Sequence, residues 1–405
     1  MHASHSRAIL RLIVLTSILA TLLGSAVDTI PARAATFVVT STADSGPGTL
    51  RQAVLDAAPG DSITFSVTGT INLLSQIGID KNLTISGPGA ASLTISGGNA
   101  VRIFNIVSVN VNISGLTIAN GNAGADNGGG IFNFGGSLTL NNVIFTNNQA
   151  PGGSGGAIYQ NQGSLTVMNS AFNGSSSATD GAGIMATDLP LMVSNCTFAN
   201  NTATTGFGGG FRWASGTNSA NTLRVLNSTF SNNHAARGSG INRVSSSIDM
   251  IANSTFSSND TTGLGGGLFT AEGTLTLAND TFSANSASSG GCIYSNASSL
   301  SLINNTLSAN SASTGGGIYS NADSLSLINN ILAKSTAGDD CFESNSILNA
   351  MHNNLIGSGN CQLNTSLDPR LSTLGNNGGP TQTFALLPDS PAIDNGDNAP
   401  ARLLR

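Results

Sequence analysis

Gly265-Gly266-Gly267-Leu268 followed by Leu275-Thr276-Leu277-Ala278-Asn279-Asp280-Thr281-Phe282-Ser283-Ala284-Asn285 is repeated as Gly315-Gly316-Gly317-Ile318 and Leu325-Ser326-Leu327-Ile328-Asn329-Asn330-Ile331-Leu332. The large apolar residue three places after Asn marks eight copies, at Phe145, Phe172, Phe198, Phe230, Phe256, Phe282, Leu307 and Leu332. The gaps of 27, 26, 32, 26, 26, 25 and 25 residues are those of a solenoid, in which each copy buries its apolar face only against its neighbours. Apolar residues alternate with small polar ones in Leu138/Leu140, Leu165/Val167, Leu223/Val225, Leu275/Leu277 and Leu300/Leu302. That period of two belongs to strands with one buried face.

Short strands, glycine runs and no helical period within about 25 residues leave one turn of a parallel β-helix per copy. Two asparagine columns fit this reading. Asn142, Asn169, Asn195, Asn227, Asn253, Asn279, Asn304 and Asn329 stand three before the marker, and Asn148, Asn201, Asn233, Asn259, Asn285 and Asn310 three after it. Stacked one coil apart at about 4.8 Å, such amides can bond along the axis. Glycines before Ile131, Ile158, Ile184, Ile241, Ile293 and Ile318 suit corners that need positive φ or close backbone approach. No helical pattern or Gly-Lys-Ser/Thr follows them, against a phosphate loop, and Gly152-Gly153-Ser154-Gly155 lacks the Asp of a calcium-binding nonapeptide. One coil breaks the template: alignment on Phe256 turns Asp249 and Ile251 inward, while Ile248 and Met250 look like the intended pair. A buried, unpaired Asp is costly, so a one-residue bulge is expected there.

Residues 1–34 read as an export signal, with Arg7 and Arg11 before an apolar run from Leu12 to Leu23 and a small-x-small site at Ala32-Arg33-Ala34. The chain carries net charge −6 with only 8% charged residues, and its basic residues are scattered. This is not a nucleic-acid surface. Residues 35–62 form the expected N-terminal cap, because Leu50, Ala53, Val54 and Ala57 are spaced as a short amphipathic helix behind Thr49, ended by Pro59-Gly60. Degenerate early coils (Ile63-Thr64-Phe65, Leu83-Thr84-Ile85, Leu93-Thr94-Ile95, Val111-Asn112-Ile113, Leu116-Thr117-Ile118) bring the expected total to about eleven, over residues 63–335. A different C-terminal module is expected over 336–405. Cys341 and Cys361 bracket 20 residues, so in an exported chain they are expected as a disulfide. Cys196 and Cys292, four coils apart, are too distant to bridge and are expected as isolated thiols.

Gly-Gly-Ala-Ile at 155–158 and Phe-x-x-Asn at 230–233 and 282–285 resemble the repeat motifs of chlamydial polymorphic outer membrane proteins. More broadly, the chain resembles bacterial right-handed parallel β-helix proteins of the pectin-lyase-like fold. The segment Ser45-Gly46-Pro47-Gly48-Thr49-Leu50-Arg51-Gln52-Ala53 is similar to the opening of many such exported proteins. Asp368-Pro369-Arg370-Leu371, Asn377-Gly378-Gly379-Pro380-Thr381-Gln382-Thr383, Ala385-Leu386-Leu387-Pro388 and Ser390-Pro391-Ala392-Ile393-Asp394 are similar to the C-terminal module called choice-of-anchor Q. These likenesses cover about residues 36–397. They imply an all-β, right-handed β-helix at the cell surface or secreted, and a C-terminal module cut short at Arg405 before its anchor.

Polysaccharide-cleaving relatives of this fold cluster carboxylates on one strand face. Here the repeats offer Asp180, Asp188, Asp249, Asp260, Glu272, Asp280 and Asp323 with Arg212, Arg224, Arg237 and Arg243, and no two carboxylates share a column in adjacent coils. His234 and Asp260 do stack, as a base and its orienter or as a solvated loop pair; Trp213 and Arg243 stack as a cation–π or surface pair. Arg243 and Glu272 complete the catalytic candidates. Just after the glycine-run apolar residue lies the column Phe132, Tyr159, Met185, Arg212, Asn242, Phe269, Tyr294 and Tyr319. If the preceding residues point inward, these rings point outward, either as a flat strip for carbohydrate or protein contact or as sheet-stabilising stacks. The binding candidates are therefore Phe132, Tyr159, Trp213, Phe269, Tyr294 and Tyr319. Sequons such as Asn227-Ser228-Thr229 follow from the ladder, whose asparagines are expected to turn into the coil. The expected function is a non-catalytic adhesin or glycan/matrix binder, without metal or cofactor; the alternative is a polysaccharide lyase or glycoside hydrolase.

Overall fold

A computed structural model describes residues 34–216, 218, 220–361 and 367–397. The expected signal segment lies outside these residues except for Ala34. From Thr36 to Ile356 the chain forms an all-β parallel solenoid of about twelve turns. One sheet of eleven strands carries the glycine-run strands, from Ile77–Ile79 to Cys341–Glu343; it is called sheet B below. Sheet A, of 23 strands, holds two parallel ladders that merge where Val111–Ala119 and Ser137–Thr146 run unbroken through the corner between them. Sheet C is three short strands, Gln149–Ala150, Ser176–Ser177 and Thr202–Ala203, prolonged by single bridges through His234, Asp260, Ser286 and Ser311.

The marker residues meet in one interior file. Phe145, Phe172, Phe198, Phe230, Phe256 and Phe282 stack with centroids 4.7, 4.5, 4.9, 4.8 and 4.6 Å apart and planes within 8°. Leu307 and Leu332 continue the file in register. Each phenylalanine is fully buried, so deleting one ring costs about 3–5 kcal/mol. Glycine is required opposite this file: a Cβ on Gly240 would collide with the Gly267 carbonyl and lie 3.0 Å from Phe256 Cδ1.

The asparagine columns divide between inside and outside. In the inner column the Nδ2 groups of Asn201, Asn233, Asn259 and Asn285 donate to the next amide oxygen over 3.0, 2.9, 2.9 and 3.0 Å. Each also donates to a carbonyl of the coil before, as Asn259 does to Phe230 at 2.9 Å. The outer column behaves otherwise than expected. Asn195, Asn227, Asn279, Asn304 and Asn329 bond amide to amide on the outside of the corner, at φ between 50° and 59°. Asparagine tolerates this left-handed conformation. The sequon Asn227 therefore faces out, not into the coil.

Asp249 corrects a second expectation. There is no bulge: Ile248, Asp249 and Ile251 pair with Thr274, Leu275 and Leu277 in unbroken register. Asp249 is buried and Ile248 is 75% exposed. The register holds because the acid is not alone. Arg243 Nη2 and Nε reach Asp249 Oδ2 at 2.7 and 2.8 Å, and Oδ1 accepts from Ser247 Oγ and Leu223 N, both at 2.7 Å. The rest of the guanidinium donates to Thr270 Oγ1 and to the carbonyls of Ala271, Glu272 and Ser247. Burial lowers the Arg243 pKa, and Asp249 opposes that shift.

Both ends extend the ladders further than the repeat pattern indicates. Thr36–Val39 pairs in parallel with Ser62–Phe65. Between them the helix Leu50–Asp56 buries Leu50, Ala53 and Val54, and Thr49 accepts from Gln52 N at its start. At the other end, Cys341–Glu343, Ile347–His352 and Leu355–Ile356 continue all three ladders beyond residue 335. Ser358–Asn360 then lies against Cys341, and the Cys341–Cys361 disulfide closes this segment. Cys196 and Cys292 are free and buried. The tail does not continue the stack but doubles back over earlier coils and returns: Thr381 and Gln382 bond Asn253 and Thr255, and Asp397 then pairs with Asn329. Among the described residues no helix is long and apolar enough to cross a membrane.

Candidate binding face

Alternation along sheet B decides which side chains face out. Ile131, Ile158, Ile184, Phe211, Ile241, Leu268, Ile293 and Ile318 are buried and in register. Their successors form the outward column. Phe132 stacks on Tyr159 at 5.4 Å and 5° between planes. Further along, Phe269 stacks on Tyr294 at 5.6 Å and Tyr294 on Tyr319 at 4.9 Å, and Phe342 extends the file at 5.2 Å. Between the two runs come Met185, Arg212 and Asn242.

These rings are not the flat strip the pattern suggested. Stacked along the axis, each uses its faces against its neighbours, so edges and the phenol groups of Tyr159, Tyr294 and Tyr319 are what remains for a partner. Phe269 is 5% exposed and contributes to the stack more than to the surface. Beside Tyr294 and Tyr319 runs an exposed amide ladder, Asn321 to Asn296 at 2.7 Å and Asn345 to Asn321 at 3.1 Å. Burial, with Tyr319 adding to it, raises the Tyr294 pKa; nearby Arg237 lowers it. The phenol thus stays protonated as a donor at neutral pH.

Trp213 and Arg243 are misplaced in the sequence reading. They are register partners on the inward side of sheet B and fully buried. Trp213 Nε1 donates to Leu189 O at 3.0 Å. Standing two after an inward residue, both had to point inward too. Glu272 is exposed at a corner with φ 61°, and its carbonyl rather than its carboxylate accepts from Arg243. The four catalytic candidates are therefore not brought together in one site. His234 and Asp260 do meet, Nδ1 to Oδ2 at 2.9 Å, on the exposed line that prolongs sheet C. Such an open pair is screened by solvent.

Phe207 and Arg102 do not appear among the sequence candidates, and Arg237 appears there only as one of the basic residues of the repeats. Phe207 and Arg237 both precede the first glycine of a run and are bridged to each other, a column that alignment on the glycines would have found. Arg237 lies 4.8 Å from both the Phe207 and the Phe269 ring centroids, and Arg212 lies 5.2 Å from that of Phe207 while paired with Asp180. Arg102 similarly lies 5.2 Å from Phe132, held by Gln76 and by the carbonyls of Asn127 and Gly128. Elsewhere, a cavity of about 540 Å³ separates the tail from the last coils, lined by Asn304, Asn329, Leu355, Leu386, Pro391 and Asp397 among others.

No protein-family model and no curated protein matches the chain. Among solved structures the ORF18 protein of Geobacillus virus E2 is similar, at 12% identity over 76% of this chain and a TM-score of 0.32. The chain spans 58% of the length of that protein.

Proposed function

We propose that this is an exported or cell-surface β-helix that binds glycan without cleaving it, using the open side of sheet B. The observation that carries the reading is the adjacency of a half-buried ring ladder, Tyr294–Tyr319–Phe342, and an exposed amide ladder, Asn296–Asn321–Asn345. Phenol and amide groups that both donate and accept hydrogen bonds suit a hydroxyl-rich chain laid along the axis. The resemblance to surface proteins with polymorphic-outer-membrane-type repeats and a choice-of-anchor Q-like tail, and the apolar leader, support export in the same sense. The alternative, a polysaccharide lyase or hydrolase, would rest on the His234–Asp260 pair.

Glycan-array binding by the full chain, compared with a Tyr294→Ala/Tyr319→Ala variant, tests the reading. Binding is expected to fall about tenfold or more in the variant, with unchanged far-ultraviolet circular dichroism. Equal binding by both proteins, or release of sugar fragments that disappears in His234→Ala, would overturn it.

A further inference from the structure

The outer corner amides of sheet A hold more than one another. Asn329 Nδ2 donates along the ladder to Asn304 Oδ1 at 2.9 Å and also to the Asp397 carbonyl at 2.7 Å, while Asn329 Oδ1 accepts from Asp397 N at 2.8 Å. A carboxamide that meets both the N–H and the C=O of one residue has bound a peptide unit, whatever side chain that residue carries. Two further bonds hold the tail at the same corner three coils nearer the N-terminus: Thr381 Oγ1 donates to Asn253 O at 3.0 Å, and Thr255 Oγ1 to Gln382 O at 2.6 Å. The tail thus occupies the column from Asn253 to Asn329.

Toward the N-terminus the same ladder continues without that cover. Asn227 donates to Asn195 at 3.1 Å, Asn195 to Asn169 at 3.3 Å and Asn169 to Asn141 at 2.8 Å. Each rung uses one amide N–H and at most one side of the oxygen, so a donor and an acceptor remain on each. Asn169 and Asn195 are exposed. The side chains beside the ladder divide in the same way. By alternation Met168, Leu226, Ala252, Ala278 and Ile303 all point out of sheet A next to the corner. Ala252, Ala278 and Ile303 are nevertheless buried, along the stretch the tail occupies, whereas Met168 and Leu226 are only half-buried. In the neighbouring outward column Met192 is 37% exposed and stands in register with Arg224, which is exposed and has no ion-pair partner among the described residues.

We infer that the open half of this corner, the rungs Asn169, Asn195 and Asn227 with Met192, Leu226 and Arg224, docks an extended segment of another protein, apolar in character and carrying an acidic side chain. A polypeptide is the occupant because the surface is continuous with the one that this chain's own tail covers from the next rung onward. Peptide groups on one side of an extended strand recur about every 6.8 Å and the rungs about every 4.8 Å. A bound chain is therefore held at separate rungs with side-chain contact between them, as the tail is held at Asn253 and Asn329. Arg224 sets the charge preference, since an unpaired cation among apolar side chains favours a carboxylate over a neutral group. The site lies on the outside of sheet A and is independent of the glycan reading, which uses sheet B.

The test follows binding of a labelled synthetic peptide, Thr381 to Asp397 of the tail, to the full chain by fluorescence anisotropy. This probe carries Leu386, Leu387 and Ile393 with Asp389, Asp394 and Asp397, the chemistry the surface calls for. Saturable binding is expected, and about tenfold weaker binding by Asn195→Gly/Asn227→Gly. Glycine keeps the left-handed corners, at φ 54° and 50°, and removes only the amides. Arg224→Gln should weaken the acidic peptide about threefold and leave unchanged a peptide whose three aspartates are replaced by asparagine. Leu55→Ser, on the distant N-terminal helix, should bind like the parent. No saturable binding, or binding that survives Asn195→Gly/Asn227→Gly and is lost in Asn329→Gly, would overturn the site, the latter by placing the peptide where the tail lies. A concentration-dependent dimer of the parent that Asn195→Gly/Asn227→Gly abolishes would also overturn it, by making a second copy the occupant.

Discussion

Two files of side chains run inside the rod and obey different rules. On sheet A the six phenylalanines repeat like for like, and every coil presents the same face to the next. On sheet B the second inward position reads Asn133, Gln160, Ala186, Trp213, Arg243, Thr270, Ser295 and Ser320, all buried. Where residues differ from coil to coil, stability comes from pairing instead of repetition. Asn133 donates to Gln160 at 2.7 Å, and Arg243 reaches across the corner to Asp249 on the adjoining strand of sheet A. A repeat pattern therefore describes the first file completely and leaves the second to local chemistry.

The largest effect should come from breaking the pair that spans the two sheets. Arg243→Ala or Asp249→Ala leaves an uncompensated buried charge and should cost about 3–5 kcal/mol in urea unfolding. The Arg243→Met/Asp249→Leu double substitution should recover most of that loss, since apolar groups of similar volume replace the pair at little net cost. A double variant as damaged as the sum of its parts would mean that the pair has no mutual compensation.

The phenylalanine file responds to shape alone. Phe230→Ala should cost about 3–5 kcal/mol, whereas Phe282→Leu should cost well under that, because Leu307 and Leu332 already occupy the same file beyond it. Thermal unfolding of both variants checks the ranking.

A smaller effect sharpens the contrast at one ladder position. Asp280 is fully buried in a column continued by Asn305 and Asn330, accepting from Ser254 N at 2.8 Å and Ala278 N at 3.1 Å. Burial raises its pKa well above the usual carboxylate range, although those two N–H groups oppose the shift. With the folded pKa above the unfolded value of about 3.9, its contribution to stability is intact below that pH. It declines as pH rises toward the folded pKa. Asp280→Asn should therefore raise the melting temperature at pH 8 and have little effect near pH 4. A stabilisation equal at both pH values would contradict the linkage.

Much of this architecture was legible because identical residues recur at one spacing. The marker phenylalanines, the inner amide column and the outward sheet B rings all follow from period and alternation. Asp249 was not legible: its partner Arg243 is six residues away across a corner, and a pattern of apolar residues carries no information about such a pair. Trp213 and Arg243 were misread for a different reason, since alternation already placed them inside. The ring column was found, but its stacking was not foreseen, so edges and hydroxyls stand where faces were expected. Phe207 and Arg237 stand just before their glycine runs, where the alternation that marks the outward rings does not apply.

Hydrogen exchange of the full chain, with and without a bound oligosaccharide, tests the proposed binding face most directly. Slowed exchange confined to the sheet B strands around Ile293–Asn296, Ile318–Ser320 and Cys341–Glu343 is the result this account predicts. Protection centred instead on the His234–Asp260 line, with sheet B unchanged, would contradict it.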